Sequence, residues 1–350
     1  MKILSVVGAR PQFIKLAPLS NELRKFHKEI IVHTGQHFDK EMSELFFYDL
    51  SIPKPKYNLD INSGNHGEQT GRMLVELESI VVKETPDIII IFGDTNSTLA
   101  GSLVASKLHI PVVHVEAGLR SFNKSMPEEI NRIVADHTSN YLFAPTKTAV
   151  DNLLKENLSS KSFLTGDIMV DAHLSAVEKA ANLNSLDKYF VEIDKYYLLT
   201  LHRPYNVDNP KYLSSIFAEL GKLNAKILFP VHPRTRSIID QNSITFPKNI
   251  ILTKPVGYLE FVELQSKCKK IITDSGGIQK EAYILKKPCV TLRSETEWVE
   301  TVNSGWNLLI NPTNEKNYSE KINLFMPAAD HPSIFGKNVA QKMAEIINKI

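Results

Sequence analysis

Apolar residues along the chain fall into two alternating rhythms. Short runs rich in β-branched residues, at 3–7, 30–34, 88–92, 112–116 and 141–145, read as buried strands. Between them lie stretches with an apolar residue every third or fourth position. Phe13, Leu16, Leu19, Leu23 and Phe26 form one such stripe, opened by Pro11 near its first turn, and predict a helix with one buried face. Strand–helix alternation of this kind predicts a parallel sheet covered by helices on both sides. The rhythm then restarts, with strands expected at 197–201, 227–231, 250–254, 271–274 and 289–292, the last of them closing the series. The break falls between Gly166, which ends the strand-like string SFLTGD, and the polar stretch 182–194, where apolar periodicity lapses. A final amphipathic stripe, Val339, Met343, Ile346 and Ile347, is expected to pack back on the first half. The expected organisation is α/β, with two Rossmann-like domains: residues 1–168 completed by 338–350, and residues 169–337.

Length agrees, since 350 residues make room for two domains of about 150 residues, each with its own core. The apolar runs are far shorter than the roughly 20 residues a membrane helix needs, so no membrane association is expected. The opening MKILSVVGAR reads as a first strand, because a signal peptide needs a longer apolar core and a small-residue cleavage site. Cys268 and Cys289 are the only cysteines, and no spaced set of metal ligands accompanies them. A reducing, cytoplasmic setting without structural metal is expected. A formal charge of +2, with no basic block, argues against nucleic acid as the partner. An anionic ligand must therefore be met by local, placed groups.

Ligands of open α/β sheets bind beyond the carboxyl ends of the strands, so the polar residues there carry the candidate chemistry. The first strand runs into Gly8, Arg10 and Pro11, with Lys15 a turn later, which sets two cations beside a helix N-terminus suited to an anion. No GxGxxG follows any strand, which argues against a nicotinamide or flavin enzyme. Asp94 ends a strand ahead of hydroxyls that could cap the next helix; capping alone would also account for that segment. Glu116 ends another strand, and Glu128 and Glu129 open a helix where acids suit the dipole. Several carboxylates at one sheet edge are what removal and return of a proton require. In the second half, His202 with Arg203 and His232 with Arg234 follow neighbouring strands and suit phosphate and sugar contacts. The densest signal is TDSGGIQKE, residues 273–281. Gly276 and Gly277 permit close backbone approach, Ser275 can donate to a phosphate oxygen, and Glu281 could accept from ribose hydroxyls.

In order and spacing, GARPQFIK, GDTNSTLAG, HVEAGLRS, PEEINR, LHRP, PVHPR and TDSGGIQKEA resemble the non-hydrolysing UDP-N-acetylglucosamine 2-epimerase family over residues 1 to about 310. The resemblance implies a glycosyltransferase-B fold, UDP held mainly by the C-terminal domain, and reaction in an interdomain cleft without a cofactor. It further implies anti elimination of UDP through a 2-acetamidoglycal, with Asp94, Glu116, Glu128 and His202 catalytic. Arg10, Lys15, Arg132, His232, Ser275, Gly276, Gly277 and Glu281 would then bind the substrate, a UDP-amino sugar, with uridine near residues 255–261. A homodimer serving polysaccharide biosynthesis is implied as well. Gln36, His37, Gln69 and Arg72 resemble positions where some members bind an activating UDP-sugar, although loop structure would equally explain them.

One departure concerns the sugar. Trp298 stands where the common epimerase pattern has an arginine, so a positive group is expected to be missing there. The start GARPQFIK with ETEWVE looks like a subgroup that includes 2-epimerases of UDP-2,3-diacetamido-2,3-dideoxyglucuronate, the alternative substrate. Three further alternatives are a glycosyltransferase on the same scaffold, a hydrolysing epimerase, and a non-catalytic UDP-sugar sensor; the strand-end acids count against the first and the last.

Overall fold

A computed structural model describes residues 1–36, 47–48 and 50–350. The chain divides into two compact units: Met1–Ala172 with Ser333–Ile350, and His173–Pro332.

In the first unit β1 (Lys2–Val7), β2 (Lys28–His33), β3 (Tyr57–Asn58), β4 (Ile88–Phe92), β5 (Val112–Val115), β6 (Tyr141–Ala144) and β7 (Ser162–Leu164) form one parallel sheet in the order β3-β2-β1-β4-β5-β6-β7. The strands are near-continuous apolar runs because helices cover both faces; β4 is IIIIF with every residue buried. The helices are α1 (Arg10–Leu23), α2 (His66–Glu84), α3 (Asn96–Lys107), α4 (Pro127–Thr138) and α5 (Lys147–Lys155). The next helix, α6 (Met169–Ala180), contains the division between the units.

The second unit repeats the plan. Its strands are β8 (Tyr196–Thr200), β9 (Lys226–Pro230), β10 (Ile250–Thr253), β11 (Lys270–Thr273), β12 (Cys289–Leu292) and β13 (Asn307–Ile310). They lie in the order β10-β9-β8-β11-β12-β13, again all parallel. The helices are α7 (Ser185–Tyr189), α8 (Pro204–Val207), α9 (Pro210–Leu220), α10 (Pro233–Gln241), α11 (Tyr258–Lys267), α12 (Gly276–Ile284), α13 (Val299–Asn303) and α14 (Tyr318–Leu324). The last helix, α15 (Val339–Ile347), belongs to the first unit, where it packs on α1. The ring of His27, just past α1, lies 2.5 Å from Asn348 Oδ1, and Ala340 N donates to Asp171 Oδ2 at 2.6 Å.

Two details correct the expectations. The strand at 289–292 is not the last, since β13 continues the second sheet beyond it. The strand expected to run through Glu116 stops at Val115, and Glu116 turns into the left-handed region with φ 72°. Among the described residues no helix is long and apolar enough to cross a membrane.

Each sheet reverses its direction of winding once, between β1 and β4 in the first unit and between β8 and β11 in the second. Such switch points open a crevice at the strand carboxyl ends, and the sequence places its densest polar groups there.

Candidate active site

At the first switch point the ends of β1 and β4 are stitched together by Gln12, a buried residue not singled out above. Its Oε1 accepts from the amides of Gly8 at 2.7 Å and Ala9 at 3.0 Å, and its Nε2 donates to Phe92 O at 2.7 Å. Gly8 must be glycine: a Cβ there would meet Thr34 Oγ1 at 2.0 Å and Ser97 Oγ at 2.2 Å. Arg10, the first residue of α1, is exposed, whereas Lys15 on the same helix is buried and forms an ion pair with Glu116.

Helix α3 is capped by Thr95, whose Oγ1 accepts from Thr98 N at 3.4 Å, so the cap leaves Asp94 to other work. The Asp94 carboxylate instead takes the guanidinium of Arg132 at 2.5 Å, and Asn131 Nδ2 donates to Asp94 O at 2.9 Å. Glu129 holds the other edge of Arg132 at 3.0 Å while accepting from the amides of Ser121 at 2.8 Å and Phe122 at 2.9 Å. Burial alone would push the Glu129 carboxyl up, but those amides and Arg132 hold it below the usual range. Burial likewise opposes the charge on Arg132, yet Asp94 and Glu129 raise its pKa above the ordinary value. A Cβ on Gly93 would lie 3.4 Å from both Glu116 Oε2 and Lys15 Nζ, so the Lys15–Glu116 pair sits directly over the residue before Asp94. Asp94, Glu116, Lys15 and Arg132 are thus brought together. Glu128 is exposed on the first turn of α4 and is not drawn into these contacts among the described residues.

Of the four positions compared with an activator site, Gln36 binds Ser97 through its Oε1, at 3.1 Å to the amide and 2.7 Å to the hydroxyl. Gln69 Oε1 accepts from Asn96 Nδ2 at 2.8 Å, and exposed Arg72 lies 3.9 Å from Glu68. His37 falls outside the described residues.

At the second switch point the buried carboxylate of Asp274 gathers the turn after β8. It accepts from the amides of His202 at 3.1 Å and Arg203 at 3.0 Å and from Asn206 Nδ2 at 3.1 Å, with the His202 ring at 3.2 Å. Burial lowers the pKa of His202; Asp274 pulls it back up, and the charges of Arg203 and His232 push it down again. The His202 and His232 rings are 6.4 Å apart, and His232 Nδ1 caps α10 by accepting from Arg234 N at 3.3 Å. Ser275 is the N-cap residue of α12, but its hydroxyl makes no cap bond. A Cβ on Gly277 would meet nothing closer than Ser275 Oγ at 4.0 Å, so the helix N-terminus is open at that point. At Gly276, by contrast, a Cβ would fall 1.9 Å from Glu297 Oε1, a carboxylate itself paired with Arg293 at 2.7 Å. Glu281 Oε2 accepts from Gln265 Nε2 at 2.8 Å. Trp298 is buried, and the Lys280 ammonium sits 4.6 Å from its ring centroid, so a cation does stand against the indole.

Two doubly wound α/β units, each with polar side chains gathered at its switch point, define a protein of the glycosyltransferase-B type. The sequence model of the UDP-N-acetylglucosamine 2-epimerase family matches residues 21–348. Over 359 residues the chain is 51% identical to a UDP-N-acetylglucosamine 2-epimerase homolog of Methanococcus maripaludis, covering 100% of each chain. It is 46% identical over 360 residues, again with 100% of both covered, to the UDP-2,3-diacetamido-2,3-dideoxy-D-glucuronate 2-epimerase of Pseudomonas aeruginosa. The crystal structure of the Methanocaldococcus jannaschii UDP-GlcNAc 2-epimerase in complex with UDP-GlcNAc and UDP superposes with a TM-score of 0.87, at 43% identity and 100% coverage of both chains. The chain belongs to the UDP-N-acetylglucosamine 2-epimerase family.

Proposed function

We propose that the protein interconverts UDP-N-acetylglucosamine and UDP-N-acetylmannosamine by inverting C2 without net loss of UDP. The hydrogen on C2 is not acidic, because no carbonyl is attached to that carbon, so its removal must be coupled to departure of a leaving group. A carboxylate takes the C2 proton while the C1–O bond to UDP breaks, leaving a 2-acetamidoglycal. UDP then adds back to C1 as a proton reaches the opposite face of C2. The sequence is redox-neutral and replaces both the proton and the UDP that it removes, so it calls for no cofactor.

The observation that carries this reading is the pairing at the first switch point, where Asp94 and Glu116 each meet a buried or half-buried cation. Asp94, Glu116 and Glu128 supply the proton acceptor and donor, with Lys15 and Arg132 as their cationic setting, and Arg10 meets the diphosphate. In the second unit the open N-terminus of α12 at Ser275–Gly277 suits the diphosphate, His202 and His232 its oxygens, and Glu281 the ribose hydroxyls. The Methanocaldococcus jannaschii relative, solved with UDP-GlcNAc and UDP, supports the choice of ligand.

The Pseudomonas aeruginosa relative and the Trp298 departure favour one second reading, a UDP-2,3-diacetamido-2,3-dideoxyglucuronate substrate. Incubation in D2O with a panel of UDP-amino sugars, followed by proton and phosphorus NMR, decides between them. Deuterium at C2 with the UDP-sugar retained is expected; free UDP accumulating with each turnover would sink the non-hydrolysing scheme. The resemblance also supports a cytoplasmic homodimer serving polysaccharide biosynthesis, which light scattering on the purified chain tests at the level of the oligomer.

A further inference from the structure

His114 lies in the middle of β5, fully buried, and both of its ring nitrogens face acceptors. Nδ1 is 2.7 Å from Asp136 Oδ1, and Nε2 is 2.7 Å from the carbonyl oxygen of Gly93. A carbonyl can only accept, so Nε2 must carry a proton. A single ring proton would then leave Nδ1 bare against a carboxylate, two acceptors at hydrogen-bond distance. The missing proton sits either on Nδ1 or on Asp136 Oδ1. The other oxygen, Asp136 Oδ2, already accepts from Gly118 N at 3.1 Å and from the buried guanidinium of Arg120 at 2.7 Å. Both donors favour the carboxylate form, which leaves the proton on the ring.

We propose that His114 is a positioning residue that carries both ring protons, and that the buried His114–Asp136–Arg120 cluster sets the two turns bearing Asp94 and Glu116. The inference rests on the roles proposed above for those two carboxylates. Each end of the cluster lands on a left-handed glycine. His114 grips the carbonyl of Gly93, φ 64°, the residue before Asp94; Asp136 grips the amide of Gly118, φ 82°, two residues after Glu116. Arg120 also makes a two-pronged bond to Glu156 at 2.7 Å and 2.7 Å, and Lys161 Nζ donates to the Asp136 carbonyl at 3.0 Å. Burial alone would push the Asp136 carboxyl up, but His114 and Arg120 hold it below its ordinary value. Two proton-transfer groups that serve one carbon from opposite faces, in successive steps, need their separation fixed to a fraction of an ångström, and an internal salt cluster does this without touching the substrate.

The test is made on the full chain labelled with 15N at histidine. At pH 7.5 the long-range proton–nitrogen spectrum is expected to show one ring with both nitrogens protonated, and those signals should vanish in His114→Gln, which assigns them. A His114 ring with one bare nitrogen overturns the proposal. C2 deuterium exchange supplies the second arm. His114→Asn keeps a donor toward Asp136 but none toward Gly93, and its kcat should fall about tenfold to a hundredfold with UDP affinity unchanged. His114→Gln, whose longer amide still reaches toward Gly93, should recover part of the loss. Unaltered kcat in His114→Asn overturns the positioning role, and if that variant fails to fold, the ring spectrum of the wild-type chain decides. Asp94→Asn is run alongside: full exchange in that variant would instead overturn the catalytic reading of Asp94, and leave the measured ring protons standing.

Discussion

The two switch points are built alike in backbone and unlike in chemistry. In the first unit Asp94 and Glu116 are each paired with a cation: Arg132 spans Asp94 and Glu129, Lys15 meets Glu116, and the salt cluster of His114 lies beneath. In the second, the turn after β11 offers a helix N-terminus with open space above Gly277, and its buried carboxylate, Asp274, is spent on the backbone of the opposite turn. The contrast matches the two kinds of work proposed for these sites. Proton transfer needs groups held rigidly before the substrate arrives, whereas a diphosphate can be met by amides that any bound anion would satisfy.

The comparison is broken most severely at the carboxylates. Asp94→Asn and Glu116→Gln are each expected to lower C2 deuterium exchange by about 10² to 10⁴, while calorimetry finds UDP affinity intact; equal loss of binding would remove them from proton transfer. Next comes Glu281→Ala, which should weaken UDP about tenfold to a hundredfold through loss of a charge-assisted hydrogen bond, with no change in affinity for a 2′,3′-dideoxy analogue. Smaller again is Gly277→Ala. The added methyl meets open space in the protein, so melting should be unaltered, and UDP binding should fall by about tenfold, roughly 1.4 kcal/mol, if the phosphates use that space. Unchanged binding would place the diphosphate elsewhere.

The mildest effect concerns pH. Lys270 is buried at the start of β11, with Nζ donating to Ile322 O and Asn323 O at the end of α14, and burial lowers its pKa to about 8. Below that value the folded state bears an uncomfortable charge. Between pH 8 and the ordinary value of 10.5 the unfolded chain binds the extra proton, so stability rises with pH across that window. Lys270→Met should flatten the rise seen in melts from pH 8 to 10.5; a slope that persists would assign it to another group.

The frame of both sheets was legible because parallel strands covered on two faces are apolar throughout. The string IIIIF reads as β4 with no help from its context. The edges were not: β3 is two residues long, and β13 begins with Asn307, whose side chain bonds Thr291 and Gln279 inside the unit rather than following an apolar pattern. Strand-end acids and the TDSGGIQKE turn announced themselves by residue type. The groups that hold them did not, because Gln12 and Asp136 lie on helices where a lone polar residue reads as surface, and Glu129 read there only as an acid suited to the helix dipole. The one available hint was His114, a polar residue interrupting the valines of β5. Trp298 was read as the loss of a cation, and only the packing reveals Lys280 against its face.

Helix α15 has a consequence for biosynthesis. Since it belongs to the first unit while following the second in sequence, the ribosome delivers all of the second unit before the first can be finished. No single cut liberates both halves whole. A fragment ending near residue 172 would expose the face of α1 that α15 covers, so anyone wishing to study the halves separately must excise the second unit from within and rejoin the flanking pieces of the first.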